Sequence, residues 1–157
     1  MPSLSRAPIA SVEMLIRRPA KEVFAAFVEP RMLTKFWLNR SSGPLVAGGR
    51  AHWEFMVKGA ESDLDVKALE PNRRILIEWP DKSTVEWTFT EFTPNETIVA
   101  ISNTGFGGNP DEAVATAINS TEGFTIVLRA LKALLEHSSA MNLVNDKALL
   151  LESRRRG

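Results

Sequence analysis

From Arg50 to Thr104 apolar and polar residues alternate, the period-two pattern of strands with one face buried and the other wet. Arg50–Val57 sets Trp53, Phe55 and Val57 against His52, Glu54 and Met56, and Ser62–Leu69 sets Leu64, Val66 and Ala68 against Asp63, Asp65 and Lys67. Ile75, Ile77 and Trp79 follow, then Val85, Trp87 and Phe89 against Glu86, Thr88 and Thr90, and Thr97 to Asn103 completes the series. The connections Glu70-Pro71-Asn72-Arg73, Pro80-Asp81-Lys82 and Thr93-Pro94-Asn95-Glu96 are turn-forming, because Pro pre-sets φ and Asn or Asp bonds its own backbone. Tight turns between alternating strands predict antiparallel hairpins.

On either side of this block the pattern changes. Ile9–Ile16 alternates weakly and predicts a first strand. Pro19 then opens a short helix that buries Val23, Phe24, Phe27 and Val28, and Pro30 stops it and starts another that turns Met32, Leu33, Phe36 and Trp37 inward. Gly43–Arg50 reads as a loop. After the strands, Asn109 as cap, Pro110 at the first position and Glu112 at the third predict a short helix to about Ile118. A separate, longer helix is predicted from Thr121 to His137, where Phe124, Val127, Leu128, Leu131, Leu134 and Leu135 recur at three- and four-residue steps. Asn145 is read as the cap of a last segment carrying Leu149, Leu150 and Leu151, either folded back on the body or used in self-association. The order of one strand, two helices, about five strands and then helices is α+β.

Composition narrows the possibilities. The 157 residues suit one domain spanning 1–157, with hydrophobic residues at 44% and charged residues at 24%. Lys plus Arg and Asp plus Glu are 19 each, so no net field draws the chain to nucleic acid or an anionic membrane. Arg154, Arg155 and Arg156 read as a solvated basic tail, and residues 1–8, polar with two prolines, as a frayed start. The lack of cysteine removes disulfides, thiolate metal sites and cysteine nucleophiles. No run approaches the ~20 apolar residues a membrane helix needs. The expectation is a cytoplasmic protein.

The ordered set Pro19, Val23-Phe24, Phe27, Pro30, Leu33, Phe36-Trp37, then Gly48-Gly49 ahead of Trp53-Glu54-Phe55, resembles the SRPBCC superfamily of START-like and birch-pollen-allergen-like helix-grip domains. Within it the chain is most similar to the group of activators of heat-shock-protein-90 ATPase. Glu70 to Ile75 through Trp79 matches that group's second hairpin, Thr104-Gly105-Phe106 the end of its last strand, and Gly123-Phe124 through Leu135 its closing helix. Met141 to Val144 matches its short tail, and the group usually has Gly-Trp where this chain has Gly123-Phe124. The resemblance covers about residues 9–145. It implies a curved antiparallel sheet gripping the C-terminal helix, often around a cavity, in proteins that bind apolar ligands, cyclise polyketides or touch a chaperone.

Candidate chemistry is sparse. Gly43–Arg50 echoes a phosphate loop, but has Gly-Arg where Lys-Ser/Thr is required and leads into a strand. The glycines of Gly105–Pro110 precede a helix without a basic residue, and are read as a flexible loop able to gate a cavity. Asp63 and Asp65, and His52 with Glu54, have the spacing of acid–base pairs, yet sit on the wet side of their strands. Two histidines, His52 and His137, do not make a histidine-rich metal site. No catalytic residue, metal or cofactor is assigned. Thr97 and Asn103 are the polar residues expected on the inward parity.

The aromatic set is the strongest functional signal. Trp53, Phe55, Trp79, Trp87 and Phe89 share the inward parity and face Phe124, Leu128 and Leu131, with Phe36 and Trp37 placed to close one end. These residues fit either a filled core or a pocket for an apolar molecule. In the pocket arrangement, Trp87→Ala is expected to weaken binding more than folding. The leading expectation is non-catalytic binding of a small apolar or amphipathic molecule between sheet and C-terminal helix, by a monomer or homodimer. The alternatives are a protein-interaction module of the chaperone-cofactor kind and, third, a cyclase-like enzyme.

Overall fold

The computed structural model describes residues 4–156, without the side chains of Arg155 and Arg156. The expectations for residues 1–3 and for the last two arginine side chains therefore lie outside the described residues. The elements are β1 (Ala10–Ile16), α1 (Ala20–Val28), α2 (Pro30–Phe36), β2 (Leu38–Ser41), β3 (Arg50–Phe55), β4 (Glu61–Glu70), β5 (Arg74–Glu78), β6 (Thr84–Thr93), β7 (Glu96–Thr104), α3 (Pro110–His137) and α4 (Leu143–Arg156). The seven strands form one antiparallel sheet in the order β1-β7-β6-β5-β4-β3-β2. The fold is the α+β helix-grip arrangement expected. Its sheet carries one strand more than the alternation shows. β2 has a single buried residue, Leu38, and is too short for a period to register.

The inward residues of β3, β5 and β6 are those the alternation marks: Trp53, Ile75, Ile77, Val85, Trp87 and Phe89 are all buried. In β4 the phase slips. A bulge between Val66 and Ala68 moves the register, so Leu69 pairs with Ile75 and packs on the core in the place expected for Ala68. β3 ends at Phe55, which puts Met56 and Val57 into the hairpin loop before β4.

The two helices predicted over residues 110–137 are one 28-residue helix, α3. Asn109 caps it, its side chain accepting the Glu112 N–H at 2.9 Å. The polar stretch Asn119-Ser120-Thr121 does not break it: Ala117 and Val127 on either side are buried, and the Thr121 and Thr125 hydroxyls donate to the carbonyls one turn back, each at 2.7 Å. Its far end is clasped to β1: Lys132 Nζ donates to the Leu15 carbonyl at 2.6 Å, and Glu136 accepts the Arg17 N–H at 3.1 Å. α4 begins at Leu143, ahead of the expected Asn145 cap, with the Asp146 N–H donating to the Asn142 carbonyl at 2.8 Å.

A cavity beneath the C-terminal helix

The concave face of the sheet is divided in two. Over β6, α1 inserts aromatic side chains: Phe24 meets Phe89 edge-on at 5.4 Å between ring centres, and Phe27 lies 5.7 Å from Trp87, backed by Phe36 of α2 at 5.6 Å. Leu128 and Leu131 of α3 close this half and are fully buried. Beside Phe55 of β3 and Trp79, just after β5, α4 packs against α3 and the two helices face the sheet across a gap. There a cavity of about 380 Å³ remains, within the range of small-molecule sites.

Of the ten residues expected around a pocket, Trp37, Phe55, Trp79 and Phe124 line this cavity. The other six do not. Phe36, Trp53, Trp87, Phe89, Leu128 and Leu131 are buried in the packed core. For Trp87 and Phe89 the difference has a simple cause: Phe24 and Phe27 of α1 fill the space in front of them. Trp53 and Trp87 instead support the wall from behind, Trp53 at 5.0 Å from Trp37 and 6.0 Å from Trp79, Trp87 at 6.3 Å from Phe124.

The rest of the wall comes from the β3–β4 hairpin (Met56, Val57, Ala60), from Asn103, from Ser120, Gly123, Ile126 and Val127 of α3, and from Val144, Lys147, Ala148 and Leu151 of α4. The α4 residues lie three, four and seven positions after Val144, one helix face. That spacing is present in the sequence but is interrupted by a lysine and overshadowed by Leu149 and Leu150, which are exposed. α4 straddles the cavity on two polar contacts. Lys147 Nζ bonds Glu122 of α3, and Glu152 accepts the Lys58 N–H of the β3–β4 hairpin at 2.9 Å. The hydrogen bond and charge of Lys147 hold the Glu122 carboxyl below its ordinary range.

Both inward polar residues of β7 are buried as expected, but only Asn103 reaches the cavity. Its Nδ2 donates to Ser120 Oγ at 2.8 Å. Thr97 donates to the Arg18 carbonyl at 2.8 Å. The glycine loop before α3 contributes nothing to the cavity wall, so it is not placed to gate it.

The acidic and histidine residues of β3 and β4 face outward as a cross-strand ion-pair ladder. Arg50 lies 3.0 Å from Asp65, and His52 Nδ1 lies 2.7 Å from Asp63, which raises the histidine above its ordinary pKa. His52, Glu54 and Glu61 bring potential ligand atoms within 4.8 Å of one another on this solvated face. Among the described residues no helix is long and apolar enough to cross a membrane.

A strongly curved sheet, a paired-helix insert and a closing helix over a residual cavity define a helix-grip domain. Residues 17–136 match the family model described as Activator of Hsp90 ATPase homolog 1-like protein, and the chain belongs to that family. Solved structures agree. The protein SSP2350 from Staphylococcus saprophyticus is 25% identical, with a TM-score of 0.72 over 83% of this chain and 93% of that one. The Aha1 dimer from Colwellia psychrerythraea is 20% identical, with a TM-score of 0.70 over 82% of this chain and 96% of that one. DynU16, a putative protein in the dynemicin biosynthetic locus, is 21% identical, with a TM-score of 0.73 over 85% of this chain and 49% of its own length. Among curated proteins none matches this chain in sequence.

Proposed function

We propose that the chain binds a small apolar or amphipathic molecule in the cavity under α4 and does not act on it chemically. The observation that carries this reading is the cavity itself: about 380 Å³, walled by Trp37, Phe55, Trp79 and Phe124 and by the apolar face of α4. The half-buried rings of Phe55, Trp79 and Phe124 lack on their open side the dispersion contacts that a packed core supplies, and an apolar ligand restores them. The one ionisable residue among those lining the cavity, Lys147, is already paired with Glu122. That favours holding a molecule over proton transfer to it.

Native mass spectrometry of freshly purified protein, set against the denatured mass, tests the reading. A small molecule retained in the native spectrum and lost on denaturation is the expected result. A rival reading, a chaperone-cofactor module, draws on the printed name of the matching family and on the exposed Leu149 and Leu150 of α4. It gains if the native mass is bare and Leu149→Ser with Leu150→Ser abolishes binding to a purified Hsp90. The same spectrum distinguishes a monomer from a homodimer, the state named for the Colwellia relative.

A further inference from the structure

Among the described residues three buried side-chain polar atoms have no protein partner: Trp53 Nε1, Trp87 Nε1 and Asn103 Oδ1. The two indoles sit in the core behind the wall and do not line the cavity; Asn103 lines it and is 8% exposed. The Asn103 amide is tethered on one side only, by the bond from Nδ2 to Ser120 Oγ at 2.8 Å, and Ser120 lines the cavity as well. A serine hydroxyl that accepts a hydrogen bond keeps its own proton to donate. Asn103 and Ser120 therefore stand side by side at the wall, on β7 and α3, with the unpaired Oδ1 acceptor shielded from solvent. The remaining lining side chains are apolar or aromatic, apart from Lys147.

We propose that the molecule held in this cavity is an alcohol or a phenol, an apolar body whose single hydroxyl donates to Asn103 Oδ1 and accepts from Ser120. The proposal rests on the cavity being the binding site. A hydroxyl is the one small group that both donates and accepts through the same oxygen, so it pairs with this couple in either orientation of the amide. The amide torsion is broad, and a half-turn brings Oδ1 to the place of Nδ2 beside Ser120 Oγ, exchanging the Nδ2–Ser120 bond for one in which the Ser120 hydroxyl or the ligand hydroxyl donates to Oδ1. An ionised carboxylate is acceptor-only and would meet the Oδ1 lone pairs while losing its hydration. A hydrocarbon would leave Oδ1 unpaired.

The test compares 2-naphthol with 2-methylnaphthalene, alike in shape and differing by a hydroxyl for a methyl. Each is titrated into the full chain by fluorescence, and the affinity ratio is compared with the ratio of their cyclohexane–water partition coefficients. A wall that is only apolar reproduces the partition ratio. The Asn103–Ser120 couple favours 2-naphthol over that ratio by about tenfold or more, the worth of a hydrogen bond made in place of an orphaned buried group. Asn103→Leu is expected to erase the excess while retaining 2-methylnaphthalene. The wild-type comparison stands by itself should that variant fail to fold. Binding of both probes at the partition ratio overturns this inference and leaves the cavity reading intact, whereas binding of neither overturns the cavity reading.

Discussion

The two halves of the concave face begin from the same sequence pattern, large aromatic residues on the inward parity of neighbouring strands, and end differently. In front of Trp87 and Phe89 stands α1, carrying Phe24 and Phe27 and backed by Phe36 of α2, and ring meets ring at 5.4 to 5.7 Å. Beside Phe55 and Trp79, α3 and α4 offer Ser120, Gly123, Val144, Ala148 and Leu151, and a cavity of about 380 Å³ is left. For Trp87 and Phe55 the difference follows the volume of the residues facing them, while Trp53, in the cavity half, is fully buried behind Trp37 and Trp79. Small side chains facing a large ring leave room even where another ring, Trp37, lies 6.2 Å from Phe55.

That contrast is sharpest in a pair of truncations. Trp87→Ala removes a fully buried ring packed on Phe27 and Trp37, and is expected to lower unfolding free energy by about 3–5 kcal/mol in urea titrations. Trp79→Ala removes a half-buried ring at the cavity wall. Its stability loss is expected to stay below about 2 kcal/mol, with binding of an apolar probe lost. Equal stability losses from the two would erase the distinction between the halves. The sequence-based expectation that Trp87→Ala acts mainly on binding is thereby reversed.

Gly123 gives an effect of intermediate size. It lies in the body of α3, lines the cavity, and a Cβ built on it meets nothing within 4 Å. Gly123→Ala is expected to raise stability by about 0.5–1 kcal/mol, because alanine loses less backbone freedom in a helix. Gly123→Leu is expected to retain that stability and to weaken binding of 2-methylnaphthalene by occupying its space. Leucine tolerated without any loss of binding would place the ligand elsewhere.

The smallest effect concerns pH. Glu122 is held below its ordinary value near 4.5, first by the hydrogen bond from Lys147 and then by its charge. A carboxyl depressed in the folded state contributes stability above its unfolded pKa and loses it as pH falls through the folded value. The α3–α4 latch is therefore intact at neutral pH, begins to lose its contribution as pH falls below the ordinary carboxyl value, and is released only in stronger acid, below the depressed folded value. The pair is exposed, so the effect is local. Protection factors of α4 amides, corrected for intrinsic exchange, are expected to drop there in the wild type but to change little in Lys147→Met.

Much of this architecture is legible in the residues because it is periodic. The turns at Pro71, Pro80 and Pro94 and the alternation of β3, β5, β6 and β7 mark strand and face directly. What escapes is what breaks a period or depends on a distant partner. The bulge after Val66 exchanges Ala68 for Leu69. β2 is too short to alternate. The joined α3 runs through Asn119-Ser120-Thr121, residues of low helix propensity that tertiary packing overrides. The cavity wall was half visible: Trp37, Phe55, Trp79 and Phe124 carry it, but parity alone cannot tell which rings another helix will cover. The α4 face at Val144, Ala148 and Leu151 is readable only once that segment is known to fold back.

The most direct test of the central claim is a nuclear magnetic resonance titration of the 15N-labelled full chain with 2-methylnaphthalene. The account predicts saturable amide shifts concentrated at Ala60, Gly123, Val144 and Ala148, around the cavity under α4. Shifts confined to the outer sheet face around Phe92 and Ile98, or none at saturating probe, would contradict it.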